Sequence, residues 1–195
     1  MQFHYAPGAT PLDPDETEGL LPQHIMRQSE LNEWEQENIT SAEIWAFSKK
    51  QIPAKLLTID FTQKLHKKMF AATWRWAGKF RMTLKTIGID PYQIPSELKT
   101  LLEDVIYQIN HQSYMIDEIA YRFHHRLVKI HPFPNGNGRH ARLMTDLLLK
   151  SLGQKRFSWG QAHLVHAGPV RDEYITALRQ ADKGDYKALA LFVRS

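Results

Sequence analysis

The chain has no cysteine among its 195 residues. This absence excludes a disulfide framework and metal sites built from thiolates, and it suits a reducing compartment, so we expect a cytoplasmic location. Long apolar runs are also missing, since no stretch approaches the roughly 18 apolar residues of a membrane span. The opening segment, MQFHYAPGATPLDPDETEG, has neither the basic nor the apolar region of a secretory signal. We therefore expect a soluble protein with no membrane partner.

A strong charge of one sign is missing as well. The 25 lysines and arginines stand against 21 aspartates and glutamates, which gives a formal charge of +4. Basic residues are dispersed, apart from RFHHRLVK at 122–129, which falls on a segment predicted to be a largely buried helix. Both features argue against nucleic acid as the partner, whereas a small positive excess is compatible with a phosphorylated small ligand. The sequence leaves the oligomeric state open.

The remaining composition is typical of one compact domain. The chain is 43% hydrophobic and 24% charged, as ordinary soluble domains are, and its length fits a single core of about 100–200 residues. Residues 1–24 are rich in proline, glycine and acids, which predicts an extended N-terminal arm, with regulation as one conceivable role. We expect residues 25–195 to form a single domain.

Apolar periodicity and capping residues predict helices along most of that domain. The clearest helix runs from Ile116 to Ile130 and should end at His131, because Pro132 disfavours helical geometry in the residue before it. A second helix should open within the Gly-Asn-Gly run and continue to Gly153. Further helix starts are predicted at Ser29, Thr40, Asp60, Ser96, Pro169 and Asp185. The fold class that we expect is all-α.

One segment, GKFRMTLKTIGIDPY at 78–92, shows a different pattern. Phe80, Met82 and Leu84 alternate with polar residues between Gly78 and Gly88. Alternation with a period of two between turn residues is typical of a strand or a hairpin. We therefore predict one small β-hairpin in an otherwise helical domain.

The segment HPFPNGNGRHAR at 131–142 combines residues that suit phosphate binding. Gly136 and Gly138 allow left-handed geometry and close backbone approach, as Asn137 does to a lesser degree. At a helix N-terminus their N–H groups can converge on one anion. Arg139 and Arg142 lie three residues apart on one helix face, where two guanidinium groups can bind further phosphate oxygens. A polyphosphate is the ligand that this pattern favours.

Three other residues of the same segment suggest chemistry around that ligand. His131 has a side chain whose pKa suits a general base that removes a proton from an attacking hydroxyl. Phe133 should turn inward and hold the loop. The amide oxygen of Asn135 is a possible ligand of Mg²⁺, the usual companion of polyphosphates. Together these residues predict a nucleotidyl or phosphoryl transferase.

The segment resembles the signature of the Fic family, H-x-F-x-D/E-G-N-G-R-x-x-R. It agrees with the signature at seven positions: His131, Phe133, Gly136, Asn137, Gly138, Arg139 and Arg142. The predicted hairpin before the signature and the helices on both sides of it extend the resemblance over most of the chain. The stretches ATPLDPDETEGLLP and ELNEWEQENI further resemble the Fic subgroup called mobile mystery protein B.

The resemblance implies a helical domain that transfers AMP from ATP to a Tyr, Thr or Ser hydroxyl of a target protein. His131 would be the base, Gly136, Asn137 and Gly138 would form the anion hole, and the two arginines would hold the β- and γ-phosphates. The hairpin would be a flap that docks the target segment by strand addition, with Lys85, Thr86, Ile87 and Gly88 at its centre.

The sequence departs from the family pattern at Asn135, where Asp or Glu is usual. A neutral amide is a weaker Mg²⁺ ligand than a carboxylate. Many Fic proteins also carry an inhibitory motif, S/T-x-x-x-E-G/N, whose glutamate pairs with the second signature arginine. PDETEG and EWEQEN match it incompletely, so Glu18 is our first inhibitory candidate and Glu37 the second.

Several functions remain open at this point. The leading one is an AMP-transferring enzyme, conceivably the toxin-like half of a two-component system on a mobile element, with an antitoxin-like or regulatory partner. Transfer of another nucleotide moiety or of phosphate, and removal of AMP from a modified protein, would use much the same site. A nucleotide- or DNA-binding regulator without turnover is the non-enzymatic alternative.

Overall fold

The computed structural model describes residues 11–161, 164 and 168–195 of the chain, except the side chain of Gln28. Helices dominate this part of the chain, and no β-strand is present in it. The helices are α1 (Pro14–Thr17), α2 (Gln28–Phe47), α3 (Pro53–Leu56), α4 (Ile59–Phe70), α5 (Ile94–Asn110), α6 (Ile116–Ile130), α7 (Asn137–Ser151), α8 (Pro169–Ala181) and α9 (Lys187–Phe192). Two single turns of 3₁₀ helix lie at Pro91–Gln93 and Trp159–Gln161. The all-α fold class is confirmed.

The antiparallel pair α6–α7 is the centre of the fold. Both helices are buried along most of their length, because apolar clusters cover them on two sides. The larger cluster comes from α2, α4 and α5, and the smaller one from α8, α9 and Trp159. The short connection between α6 and α7 is therefore enclosed by protein on more than one side, which restricts the conformations open to it.

The predicted ends of α6 and of the helix after it are confirmed, and α8 begins at Pro169 as predicted. Four predicted helix starts are wrong. The residue that precedes α2 is Arg27 rather than Ser29. Helix α2 runs unbroken to Phe47, so Thr40 lies inside it, and its hydroxyl bonds back to the Gln36 carbonyl. Helix α4 starts at Ile59 because Thr58, rather than Asp60, accepts the Phe61 N–H. Helix α5 already begins at Ile94, following the 3₁₀ turn that Asp90 caps, and not at Ser96.

The predicted β-hairpin does not form, and residues 79–90 are an irregular loop without a β-ladder. We call residues 79–92 the flap. Arg81 is one of the polar residues of the alternating segment, and its side chain is buried. The guanidinium donates hydrogen bonds to the Thr83 and Ile89 carbonyls. It therefore occupies acceptors that a ladder between the two halves of the flap would use, and this explains why the hairpin is absent.

The first ten residues of the predicted arm lie outside the described residues, and the rest of the arm packs against the domain. Part of it is the short helix α1 rather than extended chain. Leu20 forms an isolated antiparallel bridge with Trp74, and the Arg75 N–H donates to the Gly19 carbonyl. Gly19 lies against the Trp76 indole so closely that a Cβ would stand 2.7 Å from Cδ1.

The arm also contacts the flap. Lys85 of the flap pairs with Asp13 at 2.7 Å and with Glu16 at 2.5 Å, and the hydrogen bond with Lys85 lowers the pKa of Asp13. The arm therefore fixes the position of one side of the flap. In the described part of the chain, no helix has the length and apolar character that a membrane span requires.

Buried histidines make the fold sensitive to acid. Burial lowers the pKa of His124 to about 3 and the pKa of His140 to about 4, and it lowers the pKa of His66 well below the usual value. The unfolded chain has histidine pKa values of about 6.5, so below that pH it binds protons that the folded protein does not bind. Stability is therefore fully present above about pH 6.5 and is lost as the pH falls toward 4.

We expect the melting temperature to fall between pH 7 and pH 5, and His140→Gln to reduce that fall. Each buried histidine contributes on the order of 1 kcal/mol to the pH dependence of unfolding over this interval. Thermal unfolding followed by circular dichroism at several pH values measures the effect. The exposed His111 provides the control His111→Gln, which should leave the pH dependence as in the wild type. An identical fall in all three proteins would contradict the prediction.

Candidate active site

The chain reverses direction between α6 and α7 through residues 131–136, which we call the 131–136 loop. His131 ends α6 in left-handed geometry, with φ 54° and ψ 59°, and Gly136 precedes α7 with φ 78°. Left-handed geometry is unfavourable for histidine and easy for glycine. A Cβ on Gly136 would also lie 2.5 Å from the Phe70 ring. The surrounding structure must therefore hold His131 in its unfavourable geometry, whereas at Gly136 only glycine fits.

Phe133 holds the loop from inside, as the sequence predicts. Its side chain is fully buried and stacks on His66, with ring centroids 3.7 Å apart. The Nε2 of His66 donates to the Asn135 carbonyl at 3.0 Å, and its Nδ1 accepts the Gly78 N–H at 3.0 Å. Because a carbonyl can only accept and an amide N–H can only donate, these two contacts define the tautomer of His66. The imidazole therefore joins the loop to the start of the flap.

The side chain of Asn137 braces the loop instead of facing a ligand. Its Oδ1 accepts the Phe133 N–H at 2.9 Å, and its Nδ2 donates to the Phe133 carbonyl at 2.7 Å. Asn135, the candidate Mg²⁺ ligand, accepts the Gly136 N–H with its side-chain oxygen at 2.5 Å. Among the described residues there is no group of three His, Cys, Asp or Glu side chains that would form a metal site.

The backbone N–H groups at the start of α7 are the groups for which the sequence predicts an anion site. The first N–H that bonds within this turn is that of His140, which donates to the Gly136 carbonyl. The amides of Asn137, Gly138 and Arg139 precede it, and first-turn amides have no helical acceptor. They point along the helix axis, where the helix dipole also favours negative charge. The predicted anion hole is thus a set of backbone amides.

The two signature arginines have different partners. Arg139 pairs with Glu35 of α2 at 2.6 Å and lies over the Phe70 ring. Glu35 is buried and also accepts the indole N–H of Trp74 at 2.6 Å. The carboxylate therefore neutralises Arg139 from the side of α2.

Arg142 lies deeper and has no such carboxylate among its described contacts. Its guanidinium lies over the Tyr174 ring, and the Tyr174 hydroxyl is 2.8 Å from His124 Nε2. Burial lowers the pKa of Arg142, and the positive charge of Arg139 lowers it further. A ligand with negative charge would relieve this accumulation of positive charge.

His131, the first residue of the 131–136 loop, is buried at 8% exposure. Burial lowers its pKa to about 4, and the charges of Arg81 and Lys85 act in the same direction, against a hydrogen bond with the backbone of Val128. The imidazole is therefore neutral at pH 7 and can accept a proton. A neutral imidazole close to an anion site is the arrangement that a base for an attacking hydroxyl requires.

The four predicted flap residues are in unlike environments. Lys85 is enclosed by its acidic partners from the arm, and Thr86 is exposed. Ile87 is also on the exposed side. Gly88 has φ 115°, and a Cβ there would lie 2.8 Å from His131 Cβ. The flap thus reaches the candidate base at Gly88.

Glu18 and Glu37 are both exposed. Among the described ion pairs, neither of them contacts a signature arginine. The residue that does is Glu35, which could not be predicted because nothing in its local pattern distinguishes it from the other glutamates of ELNEWEQENI. The role of Arg81 was not predicted either, because the alternating pattern around it gives no sign that an arginine is buried there.

Comparisons with known proteins find similarity to Fic proteins. Residues 56–149 match the Fic/DOC family. Protein adenylyltransferase fic-1 of Caenorhabditis elegans is 29% identical over 141 residues, which are 70% of this chain and 26% of that protein. Protein adenylyltransferase Fic of Culex quinquefasciatus is 30% identical over 119 residues, which are 60% of this chain and 22% of that protein. The chain thus spans about a quarter of the length of these curated relatives.

Solved structures show the same fold. The N-terminal Fic domain of a putative cell filamentation protein from Bartonella quintana, with bound ADP, superposes with a TM-score of 0.71. The sequences are 18% identical, and the match covers 92% of this chain and 94% of that one. Fic-1 from C. elegans superposes with a TM-score of 0.66 at 25% identity, over 92% of this chain and 51% of that one.

We expect Asn137→Ala to destabilise the protein by about 2 kcal/mol, because two hydrogen bonds to the buried Phe133 backbone are lost at about 1 kcal/mol each. Urea denaturation measures this change. Asn135→Ala is the matched control and should cost less than about 1 kcal/mol, since only one hydrogen bond to its neighbour is lost. Equal effects of the two substitutions would show that the Asn137 side chain does not brace the loop.

Proposed function

We propose that the chain, whose residues 56–149 match the Fic/DOC family, is a protein adenylyltransferase. It transfers AMP from ATP to a Tyr, Thr or Ser hydroxyl of a target protein. The observation that carries the proposal is the position of a buried neutral imidazole, His131, directly before a helix N-terminus with two arginines in its first turns. The adenylyltransferase names of the relatives support the same activity.

His131 acts as the general base of the transfer. Its imidazole takes the proton of the target hydroxyl, and the hydroxyl oxygen attacks the α-phosphorus of ATP. The bond between the α-phosphorus and the bridging oxygen breaks, and pyrophosphate leaves with the electron pair. The amides of Asn137, Gly138 and Arg139 bind phosphate oxygens, on which charge accumulates in the transition state. Arg139 and Arg142 hold the β- and γ-phosphates.

Mg²⁺ is the cofactor that we expect with ATP, where it neutralises phosphate charge. The protein offers one candidate ligand, the neutral Oδ1 of Asn135, which already accepts the Gly136 N–H. Mg²⁺ prefers carboxylate and phosphate oxygens. In this proposal Mg²⁺ would therefore be bound mainly by the phosphate oxygens of ATP, because the carboxylate that the family pattern has at position 135 is missing.

The flap docks the target segment. Its outer side exposes Met82 and Leu84, at 77% and 74%, together with backbone that is not part of a ladder. An extended target segment can bond to that backbone, and its apolar side chains can cover the two exposed residues. Gly88 brings this surface next to His131, as the transfer needs.

Regulation by a glutamate is part of the proposal, with Glu35 as the residue that the geometry favours. Glu35 occupies the guanidinium of Arg139 that a phosphate would bind. Glu18, our first candidate from the sequence, and Glu37 remain further candidates. An antitoxin-like or regulatory partner, origin from a mobile element and a cytoplasmic location also remain predictions.

Other reactions at the same site are possible outcomes of the test. Transfer of a phosphate or of another nucleotide moiety, and removal of AMP, would need the same anion site. A nucleotide- or DNA-binding regulator would keep that site without turnover. ATP labelled at the α- or at the γ-phosphate distinguishes AMP transfer from phosphate transfer.

We expect His131→Ala to lower AMP incorporation from α-labelled ATP by a factor of about 100 or more, because the general base is lost. The label is measured in a host lysate and on the protein itself, by mass spectrometry as an AMP-sized increment. ATP binding measured by calorimetry should remain, because the backbone amides and arginines are unchanged.

The exposed His111 serves as the matched control, and His111→Ala should label as the wild type does. Label from γ-labelled but not α-labelled ATP would favour phosphate transfer instead. No label from either ATP, together with steep salt dependence of duplex DNA binding, would favour the DNA-binding regulator.

We expect Glu35→Gln to raise the affinity for ATP roughly fivefold, because the pairing of Arg139 that competes with phosphate is weakened by about 1 kcal/mol. Calorimetric titration with ATP measures this, alongside the labelling rate. Glu33→Gln, at an exposed position of the same helix, is the control. A rise with Glu18→Gly and none with Glu35→Gln would assign the regulation to the arm instead.

A further inference from the structure

We propose that Arg81 is a positioning residue for the transfer, because its guanidinium joins the backbone of His131 to the flap as one unit. This inference rests on the proposed function, in which His131 is the base and the flap docks the target. Arg81 does not touch the nucleotide in this proposal. It acts through the two segments that bring the imidazole and the hydroxyl together.

The first part of the argument is the set of contacts to the end of α6. Arg81 Nε donates to the His131 carbonyl at 2.7 Å, and Nη2 reaches the Ile130 carbonyl at 3.4 Å. The backbone N–H of Arg81 donates to the Pro132 carbonyl at 3.0 Å. One residue thus bonds three consecutive carbonyls, and the middle one belongs to the residue in left-handed geometry. These bonds compensate the unfavourable backbone of His131.

The second part is the set of contacts to the flap. Arg81 Nη1 donates to the Thr83 carbonyl at 2.8 Å, and Nη2 donates to the Ile89 carbonyl at 2.5 Å. Gly88 fits between the two segments, since a Cβ there would lie 2.6 Å from Arg81 Nη2 and 2.8 Å from His131 Cβ. The flap therefore folds around the same planar group that bonds the end of α6.

The residue type matters for this arrangement. Arg81 is 1% exposed, and burial lowers the pKa of its guanidinium. The hydrogen-bond acceptors of the guanidinium are all carbonyls, and the charges of Asp90 and Glu16 oppose the effect of burial on its pKa. Burying a charge without a directly bonded carboxylate is unfavourable compared with filling the same space with an apolar side chain. A lysine could fill the space and keep the charge, but its ammonium cannot form the planar set of bonds that the guanidinium forms with four carbonyls. An arginine is therefore present at this position because its guanidinium fixes the relative position of the flap and the end of α6.

A consequence is that the flap and the 131–136 loop move together. If the guanidinium bonds are lost, the flap and the His131 backbone become independent, and the distance between a docked hydroxyl and the imidazole varies. Misplacement of reacting groups lowers the rate of transfer. The anion site at the start of α7 does not involve Arg81, so ATP binding should change little.

The test compares Arg81→Lys and Arg81→Met with the wild type in the full chain. We expect both variants to bind ATP within about threefold of the wild-type Kd, and AMP incorporation into the protein itself to fall at least about tenfold. Hydrogen exchange followed by mass spectrometry should become faster in residues 82–89 and in residues 130–132 together. Methylguanidinium added to Arg81→Ala should restore part of the labelling rate.

Arg75→Lys is the matched control, because Arg75 is exposed shortly before the flap, and it should behave as the wild type. A folded Arg81→Lys protein with wild-type labelling would overturn the proposal. So would a loss of ATP affinity in proportion to the loss of labelling, since that result describes a general structural role. If the wild type incorporates no AMP, the proposed function fails, whereas the exchange experiment still decides whether Arg81 couples the two segments.

Discussion

The left-handed backbone of His131 is the constraint on which the rest of the site depends. It ends α6 and turns the chain so that α7 can begin six residues later with its first amides facing the same space. The geometry is unfavourable for a residue with a side chain, and it persists because Arg81, Phe133 and Asn137 fix the neighbouring backbone through buried contacts. The candidate base and the anion site are thus two ends of one short, heavily braced loop.

The distribution of charge follows from where the helices bring side chains together. Arg139 and Arg142 leave α7 on one face, and a buried carboxylate, Glu35, reaches Arg139 from α2. Excess positive charge near first-turn amides favours a ligand with several negative charges over one with a single charge. Burial keeps the imidazole of His131 neutral, and the positive charges of Arg81 and Lys85 act in the same direction. Affinity for a polyphosphate thus depends on the arginines and amides of α7, whereas readiness to accept a proton depends mainly on the burial of His131.

Features that depend on interactions between neighbouring residues could be predicted from the sequence. The apolar stripe of α6, the break at Pro132 and the glycine at 136 fix the helix–loop–helix without help from distant residues, and the structure agrees there. Contacts between residues far apart in sequence could not be predicted. Glu35 and Arg139 are separated by 104 positions, and Arg81 and His131 by 50. The alternating pattern of the flap also predicted a strand, because periodicity reflects only which side chains are apolar. It does not reveal that Arg81 is buried and donates hydrogen bonds to carbonyls that a β-ladder would use.

The flap described above has consequences for how such a protein diversifies. Its shape comes from one enclosed guanidinium and from Gly88, whereas Met82, Leu84 and Thr86 point outward and support nothing beneath them. In a β-ladder each of these positions would contact a cross-strand neighbour, so that most substitutions would disturb the pairing of the strands. Here the outer positions are free to drift under selection while the geometry around His131 stays the same. A scaffold of this kind can acquire new recognition surfaces through single substitutions and keep its chemistry intact.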